Sequence, residues 1–115
     1  MRDGRRFIPR VGGAEAYPLL EVGDLRLDPA SRRVWRGPTE VELSTREFAL
    51  LETFLRRPGE VLDRVSLLEH AWEHEYENRS NVVDVYIRYL RRKVDGGEAV
   101  ALIHTARGFG YTIRE

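Results

Sequence analysis

The sequence contains no cysteine. Disulfide scaffolds, thiolate zinc sites and thiol nucleophiles are thereby excluded. No apolar run approaches the ~20 residues that a membrane-crossing helix needs. Arg2, Arg5 and Arg6 have no apolar stretch behind them, so no secretory signal is expected. Net charge is lacking as well, because 19 basic side chains balance 19 acidic ones. Neutrality counts at first sight against nucleic-acid binding, since such binders usually carry a basic surplus. Lysine is nearly absent, with Lys93 alone among 18 arginines. The planar guanidinium suits bidentate recognition of phosphates and guanine edges, although a genome-wide arginine bias gives the same count. What remains, 115 residues with 42% hydrophobic and 33% charged, fits one soluble globular domain with its own core.

The neutral total hides segregation. Residues 1–39 hold 8 basic and 5 acidic side chains, residues 40–77 hold 4 and 10, and residues 78–115 hold 7 and 4. An acidic middle is thus followed by a basic segment, with five cations and only Asp84 as counter-charge between Arg79 and Val94.

Residues 1–18 lack periodicity and carry Gly4, Pro9, Gly12, Gly13 and Pro18, as a tail or interdomain linker would. The domain proper is expected over 19–115. Four short strands are predicted at Leu19–Val22, Leu25–Asp28, Arg33–Arg36 and Glu40–Leu43. The turns between them are Gly23-Asp24, Asp28 to Ser31, and Gly37-Pro38-Thr39. The period then changes to that of helices. Ser44-Thr45-Arg46-Glu47 forms a capping box ahead of Phe48, Leu51 and Leu55, and Pro58-Gly59 ends that helix. Asp63 caps a second helix expected to bury Val65, Leu68, Ala71 and Trp72. Residues 73–79 form a polar, acidic loop. Ser80 or Asn81 caps a third helix that runs to Val94, where Asp95-Gly96-Gly97 stops it. A hairpin closes the chain, with strands Leu102–Thr105 and Tyr111–Arg114 around a tip at Arg107 to Gly110. The fold class is α+β.

The third helix is the informative one. With Val83 at zero and about 100° per residue, Ile87, Leu90 and Val94 fall within about 40° of it and form the core stripe. Asn81, Val85, Arg88, Tyr89 and Arg92 lie opposite, between about 140° and 240°. An ordinary solvated helix face carries Glu and Lys in i,i+4 pairs. Here it carries arginines, an exposed tyrosine and a valine, which can meet phosphates, base edges and thymine methyls. The bland alternative is a solvated helix with an Asp84–Arg88 ion pair. The hairpin adds Arg107 on a glycine tip, as a minor-groove probe or as a plain tight turn.

Asn81 to Lys93, together with Thr105-Ala106-Arg107-Gly108-Phe109-Gly110-Tyr111, resembles the recognition helix and wing of the OmpR/PhoB-type response regulators. Leu43 to Leu51 is similar to the start of that family's first helix. The resemblance covers residues 19–114 with several motifs in order and spacing. It implies a winged helix-turn-helix with an N-terminal four-stranded antiparallel sheet, three helices and a C-terminal hairpin wing. Helix 80–94 would enter the major groove of double-stranded DNA, and the 106–110 tip the adjacent minor groove. The family's base contacts fall on Val82, Asp84, Val85 and Tyr89. Its phosphate contacts fall on Trp72, Asn81, Tyr86, Arg88 and Arg91, with Arg92 on the same helix face. Its wing contacts fall on Thr105, Arg107 and Gly108. RNA polymerase would touch the loop at Glu73, His74, Glu75, Tyr76 and Glu77. Tyr89 departs from the arginine that some members carry, so the base preferred there does not follow from the resemblance.

The resemblance further implies a transcription regulator of the bacterial cytoplasm acting on direct-repeat half-sites about one helical turn apart. It implies a phosphorelay receiver domain ahead of residue 1, a cognate sensor kinase, and a monomeric effector domain without cofactor or catalysis. The rival reading is a winged-helix protein-interaction module that acts without DNA. His70-Ala71-Trp72-Glu73-His74 matches the H-x-x-E-H pattern of some metalloproteases, but it straddles the expected helix end, so no metal site is expected. Asn78-Arg79-Ser80 is a sequon by letter only. Gly108-Phe109-Gly110 does not join a strand to a helix and so is no nucleotide loop.

Overall fold

The computed structural model describes residues 18–72 and 81–115. The expected tail at residues 1–17, the acidic loop at 73–79, the Ser80 cap and the sequon's Arg79 lie outside the described residues. Four strands come first: β1 Leu20–Val22, β2 Leu25–Asp28, β3 Arg33–Arg36 and β4 Thr39–Val41. Three helices follow, α1 Thr45–Leu55, α2 Arg64–Trp72 and α3 Asn81–Val94, and then β5 Ile103–Ala106 and β6 Gly110–Ile113. The first four strands form an antiparallel meander in sequence order, and the last two form a separate hairpin.

The expected strand ends shift in places. β1 starts at Leu20 rather than Leu19. The fourth strand begins at Thr39, which pairs with Arg36, and ends at Val41. Gly37 at φ 59° turns the chain in two residues, so Thr39 is already in the ladder. The hairpin strands are displaced by one residue, toward Ala106 in β5 and toward Gly110 in β6.

The caps are as the sequence implies. Ser44 Oγ accepts from the Glu47 amide at 3.1 Å, and Glu47 Oε1 accepts from the Ser44 amide at 2.9 Å. Asp63 Oδ1 accepts from the Ser66 amide at 2.8 Å at the head of α2. One core joins the meander (Leu25, Leu27, Val34) to α1 (Phe48, Leu51, Phe54), α2 (Leu67, Leu68, Ala71), α3 (Val83, Ile87, Leu90) and the hairpin (Ile103, Ile113). The α2 expectation needs one correction. Val65 is exposed, and Leu67 takes the core position. Leu67, Leu68, Ala71 and Trp72 span about 140° of the helix, and Val65 falls beyond the edge of that sector.

Two tertiary ties position the rest. Arg36 on β3 is only 4% exposed. Its guanidinium bonds Asp24 at 2.5 Å, the Val94 carbonyl at 2.9 Å, Asp95 at 3.1 Å and the Val100 carbonyl at 2.5 Å. It thus caps the C-terminus of α3 and stitches that helix to the sheet. Asp95 also accepts from the Leu102 and Ile103 amides, each at 3.1 Å, and so starts β5. The second tie is between Leu62 and Tyr111, whose amides and carbonyls exchange bonds of 2.8 and 3.0 Å. The α1–α2 connector therefore lies along β6. A side chain at position 110 would sit 2.1 Å from the Leu62 carbonyl oxygen, so Gly110 is required there.

Candidate nucleic-acid interface

α3 buries the stripe of Val83, Ile87, Leu90 and Val94 that its period predicts. The two flanks of the stripe face different elements. On one flank Tyr86 meets Trp72 of α2 edge-to-face, with ring centroids 5.3 Å apart. Tyr89 continues the row at 5.5 Å from Tyr86, and Arg92 lies 5.9 Å from the Tyr89 ring. Arg46 closes the other end, 5.2 Å from the Trp72 ring and donating to the Ala71 carbonyl at 2.6 Å. Lys93, on the same flank, bonds Glu47 Oε1 at 2.7 Å. Burial pushes the Glu47 carboxyl up, but hydrogen bonds from Lys93 and Ser44 outweigh it and hold the group below its ordinary range.

The opposite flank faces the hairpin. Arg91 donates to the Ile103 carbonyl at 3.3 Å and to Thr105 Oγ1 at 2.5 Å. Asp84 accepts from Arg64 at 3.0 Å and from the Tyr111 hydroxyl. The Asp84–Arg88 pair of the bland alternative does not form, and Asp84 makes this cross-helix bridge instead. Arg64 reaches Asp84 from the head of α2, a contact that α3 by itself does not disclose.

What α3 and the hairpin leave exposed includes cationic and aromatic side chains. Asn81, Arg88, Tyr89 and Arg92 are exposed on α3, and Thr105, Arg107, Gly108 and Phe109 on the hairpin. Among the described residues Arg88 and Arg107 have no bonded partner. Val82 and Val85 are half-buried at the rim, so Val85 is less open than its place on the wheel implies. Trp72 is 6% exposed, and its ring is packed rather than presented. Of the expected contact residues, Asn81, Arg88, Tyr89, Arg92, Thr105, Arg107 and Gly108 are exposed, and the Arg91–Thr105 bond brings the hairpin against α3. Glu73, His74, Glu75, Tyr76 and Glu77 lie outside the described residues. His70 Nδ1 lies 2.7 Å from the Ser66 carbonyl, a contact within its own helix.

Phe109 is a surface feature that the sequence reading passed over. It is 75% exposed at the hairpin tip, between two glycines of positive φ. The signal was present as an aromatic residue inside a glycine turn, where no core can claim it.

A family model described as "Transcriptional regulatory protein, C terminal" matches residues 38–113. The chain belongs to this family of transcriptional regulatory protein C-terminal domains. The transcriptional regulatory protein TcrA of Mycobacterium tuberculosis is 54% identical over 110 residues, covering 96% of this chain and 44% of TcrA. The response regulator MprA of a Mycobacterium species is 45% identical over 98 residues, covering 85% of this chain and 43% of MprA. The chain thus spans less than half the length of these relatives. Among solved structures, the Klebsiella pneumoniae RstA DNA-binding domain in complex with the RstA box superposes with a TM-score of 0.74 at 32% identity, covering 85% of this chain and 98% of that one. The DNA-binding domain of CpxR from Escherichia coli gives 0.73 at 29% identity, covering 86% and 98%. In this family member the architecture is the winged helix-turn-helix, with α2 and α3 as the helix pair and β5–β6 as the wing. Among the described residues no helix is long and apolar enough to cross a membrane.

Proposed function

We propose that this chain is the sequence-specific DNA-binding effector domain of a two-component response regulator that controls transcription. One observation carries the reading. The exposed side of α3 bears Arg88, Tyr89 and Arg92, and the wing presents Arg107 beside it. α3 enters the major groove, where Val82, Val85 and Tyr89 meet base edges. Asn81, Arg88, Arg91 and Arg92 hold phosphates, with Tyr86 and Trp72 as their packed support. Arg107 enters the adjacent minor groove, and Thr105 and Gly108 meet its sugar–phosphate wall. The function is differential binding free energy rather than catalysis.

The wider assignments rest on the family and on relatives twice as long. A receiver domain precedes the effector and is served by a sensor kinase. RNA polymerase meets the acidic residues Glu73, Glu75 and Glu77 with His74 and Tyr76, and the regulator works in the cytoplasm. Titration against duplexes enriched from a random pool, and against scrambled duplexes at several salt concentrations, tests the core claim. The enriched duplex binds more tightly, and the preference weakens in the α3 variants. Equal binding to both duplexes, or normal binding by Arg88 and Tyr89 variants, favours the protein-interaction module instead.

A further inference from the structure

Three elements meet at the Asp84 carboxylate. Arg64 opens α2, Asp84 lies in the first turn of α3, and Tyr111 lies on β6. Arg64 Nε donates to both carboxylate oxygens, at 3.0 and 3.1 Å. The Tyr111 hydroxyl donates to Oδ1. The Arg64 and Arg91 guanidiniums lie 5.9 and 5.6 Å from the Tyr111 ring centroid. Tyr111 is 7% exposed, and its backbone is fastened to Leu62. Burial first, and then the hydrogen bond to Asp84 and its charge, raise the Tyr111 hydroxyl above its ordinary range, so it stays a donor at neutral pH.

A carboxylate that reads cytosine must offer a free lone pair toward the major groove. Oδ1 is taken by Arg64 and Tyr111 and Oδ2 by Arg64, so the one lone pair left on Oδ2 can be aimed at a base only by rotating a carboxylate that two other elements hold in place. Turning toward a base would strand a buried tyrosine hydroxyl without its acceptor. The same carboxylate is the polar link between the recognition helix and the wing strand, next to the Arg91–Thr105 bond. We infer that Asp84 is a positioning residue rather than a base reader, and that the Arg64–Asp84–Tyr111 cluster locks the wing to α3. The lock fixes the spacing at which the α3 face and Arg107 engage one duplex. This inference rests on the DNA-binding reading above.

The test uses Asp84→Asn, Tyr111→Phe, Arg107→Ala and the Tyr111→Phe/Arg107→Ala double variant, with a duplex enriched from a random pool. Asp84→Asn lowers affinity while the rank order of single-base-pair variants of that duplex is kept. Arg107→Ala weakens binding at least ~3-fold less in the Tyr111→Phe background than in the wild type, because a released wing no longer places the arginine. Loss of preference confined to one base pair in Asp84→Asn, or strict additivity of the double variant, overturns the inference. A second arm needs no DNA. Amide exchange at Phe109 and Tyr111 accelerates in Tyr111→Phe while exchange at Leu51 in α1 does not. Unchanged wing exchange overturns the lock. Arg64→Gln, altered at an exposed side chain, serves the same two arms if Tyr111→Phe does not fold. Failure of the wild type to enrich any duplex overturns the DNA-binding reading alone, and the exchange arm still decides the lock.

Discussion

Tyr89 and Glu47 show how different two single residues of this domain are. Tyr89 stands exposed between Tyr86 and Arg92 and has little to hold inside the fold. Tyr89→Ala is expected to leave stability nearly unchanged and to relax preference at one base pair by ~1–3 kcal/mol, read by competition among single-base-pair variants. Glu47 is internal, since it caps α1 and grips Lys93 of α3. Its carboxyl is held below the ordinary range in the folded state. The stability it contributes is therefore fully present above the unfolded value of about 4.3, and it is lost as pH falls through the lowered folded value. Glu47→Gln should flatten the acid limb of the melting temperature against pH, while the wild type shows the full decline. The capping box was legible in Ser44-Thr45-Arg46-Glu47, because a cap is local in sequence. The Lys93 partner was not, because 46 residues separate the two.

At the scale of elements, the arginines of α3 divide by flank. Arg88 is open to solvent, whereas Arg91 is tied to β5 through Ile103 and Thr105. Arg88→Ala is expected to reduce the slope of log K against log salt by about 0.9, the loss of one phosphate contact. Arg91→Ala reduces the slope as well, and it also lowers the unfolding midpoint by loosening the wing. Anisotropy titrations at four salt concentrations, beside urea unfolding, separate the two effects. Arg36 decides how α3 meets the sheet. Arg36→Met leaves the nearly buried Asp95 and the α3 C-terminal carbonyl without their cation, so it should destabilise the domain by about 3–5 kcal/mol in urea. Nothing in Arg33–Arg36 supplies the counter-charges that a buried arginine needs. Alternation with Val34 places Arg36 on the core side, and only Asp24, Asp95 and two carbonyls brought from elsewhere make burial tolerable.

For the molecule as a whole, the zero net charge sharpens the binding model. The basic surplus lies in α3, the wing and residues 1–18, the four arginines of the sheet are matched by Glu21, Asp24, Asp28 and Glu40, and the acidic surplus lies in the middle of the chain. Far from the contact face the field cancels, and steering toward DNA is weak. Affinity for a scrambled duplex should lie toward the weak end of about 10⁻⁴–10⁻⁶ M at physiological salt. Lowering the salt should strengthen it only through the few cations of residues 79–93 and 105–109. A scrambled-duplex affinity in the nanomolar range at physiological salt would contradict this picture.

The order of elements, the caps of α1 and α2 and the core stripe of α3 could be read from the amino-acid sequence alone. Each of these depends on residues within one or two turns of one another. The sequence also marked the wing, because a glycine tip between two short apolar runs has few other solutions. The tertiary structure decided which flank of α3 meets α2 and which meets the wing. It decided that Asp84 is held by Arg64 and Tyr111, that Arg36 goes inside, and that Leu67 rather than Val65 fills the core. These outcomes depend on partners 12 to 64 residues away. Periodicity reports the face that a residue occupies, but not the element that packing will bring against that face.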